Sequence, residues 1–230
     1  MEDLKKHATE QGVRTNCVAG IVHALVKNKW IEPIKRGIYA FTLESGMSES
    51  PHEFEVAQVI AKPSAISHWT AMHYHQLTQQ TPNTVFSITT KRAFIPERYQ
   101  GRFHYKLIEN KQFFGVINVW IGNARIQITD LEKTLLDGLS NPELCGGFSE
   151  VYNAFVFAKK IINLDKIVNY ALQTDDATVK RLGWILEKLG FPKTRLERLK
   201  KHPMKGFRKL DPKGAIKGPY DQNWQLRLNA

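Results

Sequence analysis

Apolar residues recur at helical spacing near the start of the chain. Val18, Ile21, Val22 and Leu25 fall at i, i+3, i+4 and i+7, so they share one face of a helix. Asn16, Gly20, His23 and Lys27 take the opposite face, and none of them is acidic. Behind this run, apolar and polar residues alternate around Pro33 and Lys35-Arg36-Gly37, which predicts a short hairpin with a basic tip. A helix followed at once by such a hairpin is the closing half of a winged helix-turn-helix. Leu4 and Ala8 give one side to a helix over Glu2 to Gln11, with Gly12 as its stop. A winged helix-turn-helix ordinarily has one more helix in front. Either the domain is trimmed at its start and lacks that helix, or its natural start lies upstream of Met1.

Leu43 to Pro51 is polar, carries Gly and Pro, and reads as a linker. The division expected from it is a DNA-binding domain over residues 1–43 and a second domain over 44–230. The second domain opens with helices over His52 to Ala61 and His68 to Gln76, the latter with Ser67 as N-cap. Strands follow at Val85 to Thr89, Arg102 to Ile108, Gly115 to Ile121 and Arg125 to Ile128. The last two form a hairpin across Gly122-Asn123, and a four-stranded, mostly antiparallel sheet is expected. Thr129 or Asp130 then caps a helix. Further helices are expected over Ser149 to Lys160 (Val151, Tyr152, Phe155 and Val156 in phase), Asp165 to Leu172, Thr178 to Leu189 and Thr194 to Lys201. Asp165 and Asp175 or Asp176 are the expected caps. Asp221 to Asn229 closes the chain as a strand with Trp224, Leu226 and Leu228 on one face. The fold class is α+β.

Composition changes the picture in one direction. The 230 residues include 33 Lys and Arg against 22 Asp and Glu, a net charge of +11 and a pI near 9.6. A chain that basic commonly meets a polyanion, most often nucleic acid. The surplus is uneven: net +3 over residues 1–41, zero over 42–140 and +8 over 141–230. Cys17 and Cys145 are the only cysteines, without a CxxC partner, so a zinc finger is excluded and a disulfide framework is not expected. No apolar run has membrane-spanning length and no signal peptide opens the chain, which fits a cytoplasmic protein.

Candidate chemistry is sparse. There is no P-loop, Rossmann glycine pattern, nucleophile elbow or paired-histidine metalloprotease motif. His68, His73 and His75 lack ligand spacing, and no metal or cofactor is expected. Asp130 and Glu132 near a strand end invite a nuclease reading. Glu132 and Lys133 are adjacent and helical, however, so a cap and a solvated turn explain them better. The chain is not expected to be an enzyme.

Several stretches, in order, resemble the AbiEi-type antitoxins and transcriptional regulators of type IV toxin–antitoxin systems. They are the wing Ile34-Lys35-Arg36-Gly37-Ile38-Tyr39, the helix Ala65-Ile66-Ser67-His68-Trp69-Thr70-Ala71-Met72 and the lead-in Leu77-Thr78-Gln79-Gln80-Thr81-Pro82. Next come Glu132-Lys133-Thr134-Leu135-Leu136-Asp137, the segment from Arg181-Leu182-Gly183-Trp184 to Gly190, and the closing Trp224-Gln225-Leu226-Arg227-Leu228-Asn229. The resemblance covers nearly the whole chain. It implies an antitoxin tied to abortive phage infection. Its winged helix would repress its own operon at inverted repeats in double-stranded DNA. Its second domain would counter a nucleotidyltransferase-like toxin without a stable complex. The protein is expected as a monomer or weak dimer. The residues placed in the groove are Arg14, Thr15, Asn16, His23 and Lys27, with Lys35 and Arg36 on phosphates. Arg195, Arg198, Lys200, Lys201, Lys205, Arg208 and Lys209 offer a second nucleic-acid surface. The alternatives are a plain transcriptional regulator and a nucleic-acid-processing enzyme.

Overall fold

The computed structural model describes residues 2–46 and 50–230. The middle of the expected linker, residues 47–49, lies outside the described residues. The N-terminal unit has the expected parts. Helix α1 (Glu2–Glu10) ends at Gly12, a 3-10 turn (Thr15–Cys17) runs directly into α2 (Val18–Lys27), and β1 (Ile31–Lys35) pairs antiparallel with β2 (Ile38–Phe41). Val18, Val22 and Ile31 form a small core, flanked by Ala8, Leu25, Val26 and Tyr39. Ile21, expected inside, is 44% exposed. The hairpin approaches α2 from the Val26 side, so the buried stripe is rotated away from Ile21.

The hairpin serves two cores. A register shift between Pro33 and Lys35 breaks the strict alternation of β1. Ile31 therefore packs with α2, while Ile34 and Ala40 enter a second core beside Phe54, Ala57 and Ile60 of α3 (Glu53–Ile60). Glu32 is tied to the same side, 3.6 Å from Arg98 and accepting from the Tyr99 hydroxyl at 3.2 Å. Helix α3 starts with a capping box between His52 and Glu55.

The sheet corrects the expected one. It has five strands, not four, in the order β5-β4-β3-β7-β6, and it is mixed rather than mostly antiparallel. The strand the pattern missed is its centre: β3 (Ser64–Ile66) is buried throughout, antiparallel to β4 (Val85–Thr89) and parallel to β7 (Ala124–Thr129). Three residues buried on both faces show no alternation, so periodicity cannot find them. Strand β5 (Phe103–Leu107) runs parallel to β4 because residues 90–102 carry the chain back before it enters. Strand β6 (Val116–Ile121) and β7 form the expected hairpin around Gly122-Asn123.

The helices α4 (His68–Tyr74), α5 (Leu131–Ser140), α6 (Phe148–Ala158), α7 (Leu164–Ala171), α8 (Asp176–Lys188) and α9 (Lys193–Lys200) share the largest core, which runs from Met72 to Leu226. Asp130 and Asp175 cap α5 and α8 through Lys133 N–H and Thr178 N–H, but α7 is capped by Asn163, with Asp165 in its first turn. Val156, expected in phase with the core face of α6, is 47% exposed, and Ala154 and Ala158 are buried instead. The tail is a three-stranded patch, not one long strand: β10 (Leu226–Arg227) lies between β8 (Arg208–Lys209) and β9 (Tyr220–Asp221). Asp221 turns the chain by accepting from Trp224 N–H at 3.0 Å, which sends the indole into the helical core.

Two of the three histidines around α4, His68 and His75, have internal partners, and His73 is exposed. His68 is 1% exposed and its Nδ1 lies 2.8 Å from Ser67 Oγ; His75 Nε2 lies 2.7 Å from the Thr129 carbonyl oxygen. Burial, helped by Lys133, Lys106 and His104, pushes His68 down to about 3 from 6.5. The unfolded chain takes up that proton near pH 6.5 and the folded chain does not. Stability therefore falls as pH drops below about 6.5 and levels off only near pH 3, by about 2 kcal/mol from this group between pH 7 and 5. Urea titrations of wild type and His68→Gln should differ by that slope. Parallel pH curves would refute a buried neutral imidazole.

Candidate nucleic-acid interface

The groove residues come together on one side of the N-terminal unit. Arg14 is extended just ahead of the 3-10 turn that holds Thr15 and Asn16, and α2 continues from that turn. Asn16, His23 and Lys27 are spaced to form one stripe, and all five groove residues are exposed. The segment from Gln11 to Ile31 contains no carboxylate, and Ala19, Gly20 and Ala24 leave the helix surface low between the longer side chains. A surface of that relief lets a helix approach base edges closely. Arg36 is exposed at the hairpin tip and Lys35 is half-buried beside it. Among the described residues, the side chains of Arg14, His23, Lys27, Lys35 and Arg36 form no ion pair or hydrogen bond. Glu32, the acid on the hairpin, is occupied by Arg98 and Tyr99.

The second set is less open. Arg195 pairs with Asp165 at 2.6 Å, Arg198 donates to Asn169 at 2.7 Å, Lys201 lies 3.7 Å from Glu197, and Lys209 donates to the Gly214 carbonyl at 2.9 Å. Arg208 reaches its neighbour's carbonyl at 3.4 Å, while Lys200 and Lys205 are exposed without a side-chain partner among the described residues. Exposed pairs of this kind are screened and contribute little to stability, but they take up part of the charge a phosphate would meet.

The acidic residues of the Glu132 segment are not a solvated turn. Glu132 and Lys133 are 4% and 3% exposed. Asp130 accepts from Lys133 N–H, from the Tyr170 hydroxyl at 3.1 Å and from Lys166 at 3.1 Å. Glu132 accepts from Asn163 N–H at 2.9 Å and from Lys166 at 2.8 Å. These carboxylates bind the start of α5 to α7, and the two of them raise the pKa of Lys166 against its partial burial. Local sequence could not show this, because the partners stand some thirty to forty positions later. Among the described residues no group of three or more His, Cys, Asp or Glu is placed to hold a metal ion, and no helix is long and apolar enough to cross a membrane.

No protein-family model and no curated protein matches the chain. Its backbone does have a solved counterpart: a structure superposes with a TM-score of 0.73 over 98% of this chain and 84% of the other. The fold is similar to that of the RV2827C protein from Mycobacterium tuberculosis. At 12% identity the likeness to the RV2827C protein is one of architecture. Because it extends over nearly the whole chain, it includes the winged N-terminal unit, the mixed sheet and the helical layer together, and assigns no side chain a role.

Proposed function

We propose that this protein is a DNA-binding repressor and antitoxin, acting in the cytoplasm. Its winged helix takes inverted repeats in front of its own operon, and its second domain opposes a nucleotidyltransferase-like toxin without forming a stable complex. The observation that carries the DNA half is the carboxylate-free, exposed stripe of Arg14, Thr15, Asn16, His23 and Lys27 beside a basic hairpin tip. Cations without intramolecular partners are available to displace counterions from DNA phosphates, and the polar groups on α2 are available to base edges. The antitoxin half rests on the run of motifs resembling AbiEi-type proteins. A protein without catalytic activity is supported by the carboxylates of Asp130 and Glu132, which are consumed by internal partners. Incubation with labelled DNA or RNA and magnesium or manganese is expected to leave the strands intact.

The two classes of contact separate in binding assays. Lys35→Gln with Arg36→Gln should weaken binding to operator and random duplex alike and lower the slope of log affinity against log salt by about 2. An unchanged slope removes both residues from the phosphate contacts. Asn16→Ala or His23→Ala should cost roughly 1–3 kcal/mol on the operator and much less on random DNA. For the antitoxin half, co-expression with the product of an adjacent nucleotidyltransferase-like gene should restore growth that the toxin alone arrests. Continued arrest leaves a plain regulator.

A further inference from the structure

We infer that the second domain holds a small-molecule site, a cleft between the β5 edge of the sheet and α5 that takes a nucleoside monophosphate. This site goes beyond the DNA-binding reading and does not rest on it. The cleft has a volume of ≈ 570 Å³, within the range of about 300–1,000 Å³ usual for small-molecule sites. Its most buried lining residues are Lys133 and Asp137, 3% and 9% exposed. The Asp137 carboxylate accepts one hydrogen bond, from Lys133 Nζ to Oδ1 at 2.5 Å, and Oδ2 has no partner among the described residues. A carboxylate has about four acceptor sites, and leaving most of them unused in a buried setting is costly unless a ligand supplies donors. Lys133 has a spare donor as well. Of its three N–H groups one goes to Asp137 and one faces the Phe114 ring, 4.6 Å from its centre.

The pair therefore presents an acceptor next to a donor. That pattern fits the edge of a nucleobase, where an N–H stands beside a carbonyl oxygen or a ring nitrogen. An ammonium group would satisfy Asp137 but would meet Lys133 at the same spot, so a neutral donor is favoured. The charges elsewhere in the cleft argue for a single phosphate. Glu109 pairs with Lys111 at 2.9 Å, and Asp175 is occupied by the N–H and hydroxyl of Thr178 as the cap of α8. Lys106 on β5 is left without an ion pair or hydrogen bond to its side chain, as are the Thr90 hydroxyl and Nε2 of Gln112 among the described residues. Lys106 and Lys133 both help to hold the pKa of His68 down, so they lie over the same face of the sheet. One free cation with two neutral donors matches one phosphate group. Leu107, 57% exposed, and Phe114 offer apolar surface to the flat faces of a base. The walls are already fixed: Glu109 N–H donates to Gln112 Oε1 at 3.1 Å, and the Ser140 and Thr178 hydroxyls are 3.0 Å apart.

Calorimetric titration of the full-length protein with AMP, GMP, CMP and UMP, and with inorganic phosphate, tests the assignment. At least one mononucleotide should bind one to one with a Kd below about 1 mM, more tightly than phosphate. Lys106→Gln should weaken that nucleotide roughly tenfold and leave its nucleoside unchanged, whereas Lys159→Gln should change neither. The double variant Lys133→Met with Asp137→Leu should bind neither nucleotide nor nucleoside, and a cooperative urea transition verifies that it folds. Lys106→Gln removes an unpaired ammonium from the rim, so it reports on the site whether or not the double variant folds. Failure of all four mononucleotides to bind wild type would overturn the site. So would undiminished binding to Lys106→Gln, or phosphate binding as tightly as the nucleotides, which would mark an anion patch only. None of these outcomes bears on the winged helix, which is tested separately on duplex DNA.

Discussion

Gly183→Ala is expected to destabilise the protein by about 3–5 kcal/mol, as much as deleting a core aromatic side chain. A Cβ on Gly183 would stand 1.9 Å from Cζ3 and 2.3 Å from Cη2 of Trp224. That ring is 2% exposed, and its N–H donates to the Glu187 carboxylate at 2.5 Å, the main reason the pKa of Glu187 is held low. The indole cannot retreat without breaking this bond and leaving a void against α8. Helix propensity alone would favour alanine by up to about 1 kcal/mol, so a loss of this size can come only from the clash. Trp224→Ala should cost a similar amount, and Gly183→Ala added to it should cost nothing further. Chemical denaturation of the two single variants and the double variant measures the coupling. Additive losses would mean that glycine and indole do not oppose each other.

Lys133→Met is expected to cost about 3–5 kcal/mol at neutral pH, because it strands a buried carboxylate. Lys133 Nζ lies 2.5 Å from Asp137 Oδ1 and 4.6 Å from the centre of the Phe114 ring. Asp137 is 9% exposed, and its Oδ2 has no partner among the described residues. Burial pushes Asp137 up and Lys133 pulls it partly back. Without the lysine the carboxyl pKa rises further. The folded variant then holds a proton that its unfolded chain has already released, so its stability increases as pH falls toward the carboxylate range. The deficit against wild type should therefore shrink in acid. Replacing Asp137 by Leu in the same chain should recover most of the loss, since a well-packed apolar pair replaces a broken ionic one. A single variant as stable as wild type from pH 5 to 8 would mean the carboxylate is solvated.

Both positions lie in stretches the sequence singled out without saying why they matter. Arg181-Leu182-Gly183-Trp184 and Trp224-Gln225-Leu226 were separate motifs some forty residues apart, and the contact that explains the glycine joins them. Glu132-Lys133 looked like a solvated helix start because charged residues usually are. Its burial follows from Lys166 and Asn163, which arrive on α7. The interface divides in the same way. The stripe on α2 and the basic wing tip were legible because each is complete within about a dozen residues. The second basic set was not, because the partners of Arg195 and Arg198, Asp165 and Asn169, stand about thirty residues earlier in the chain.

The sequence by itself determined the local elements: the helices, two caps each to within a pair of neighbours (Thr129 or Asp130, Asp175 or Asp176), the β6–β7 hairpin, and the winged unit with its basic residues. Tertiary structure alone decided the place of β3, the mixed strand directions, the sharing of the hairpin between two cores, and which charges are buried as partners and which stay free. Periodicity and turn chemistry are properties of neighbours along the chain. Strand order and charge pairing depend on residues that meet only when distant segments close on one another, and no local pattern records that meeting.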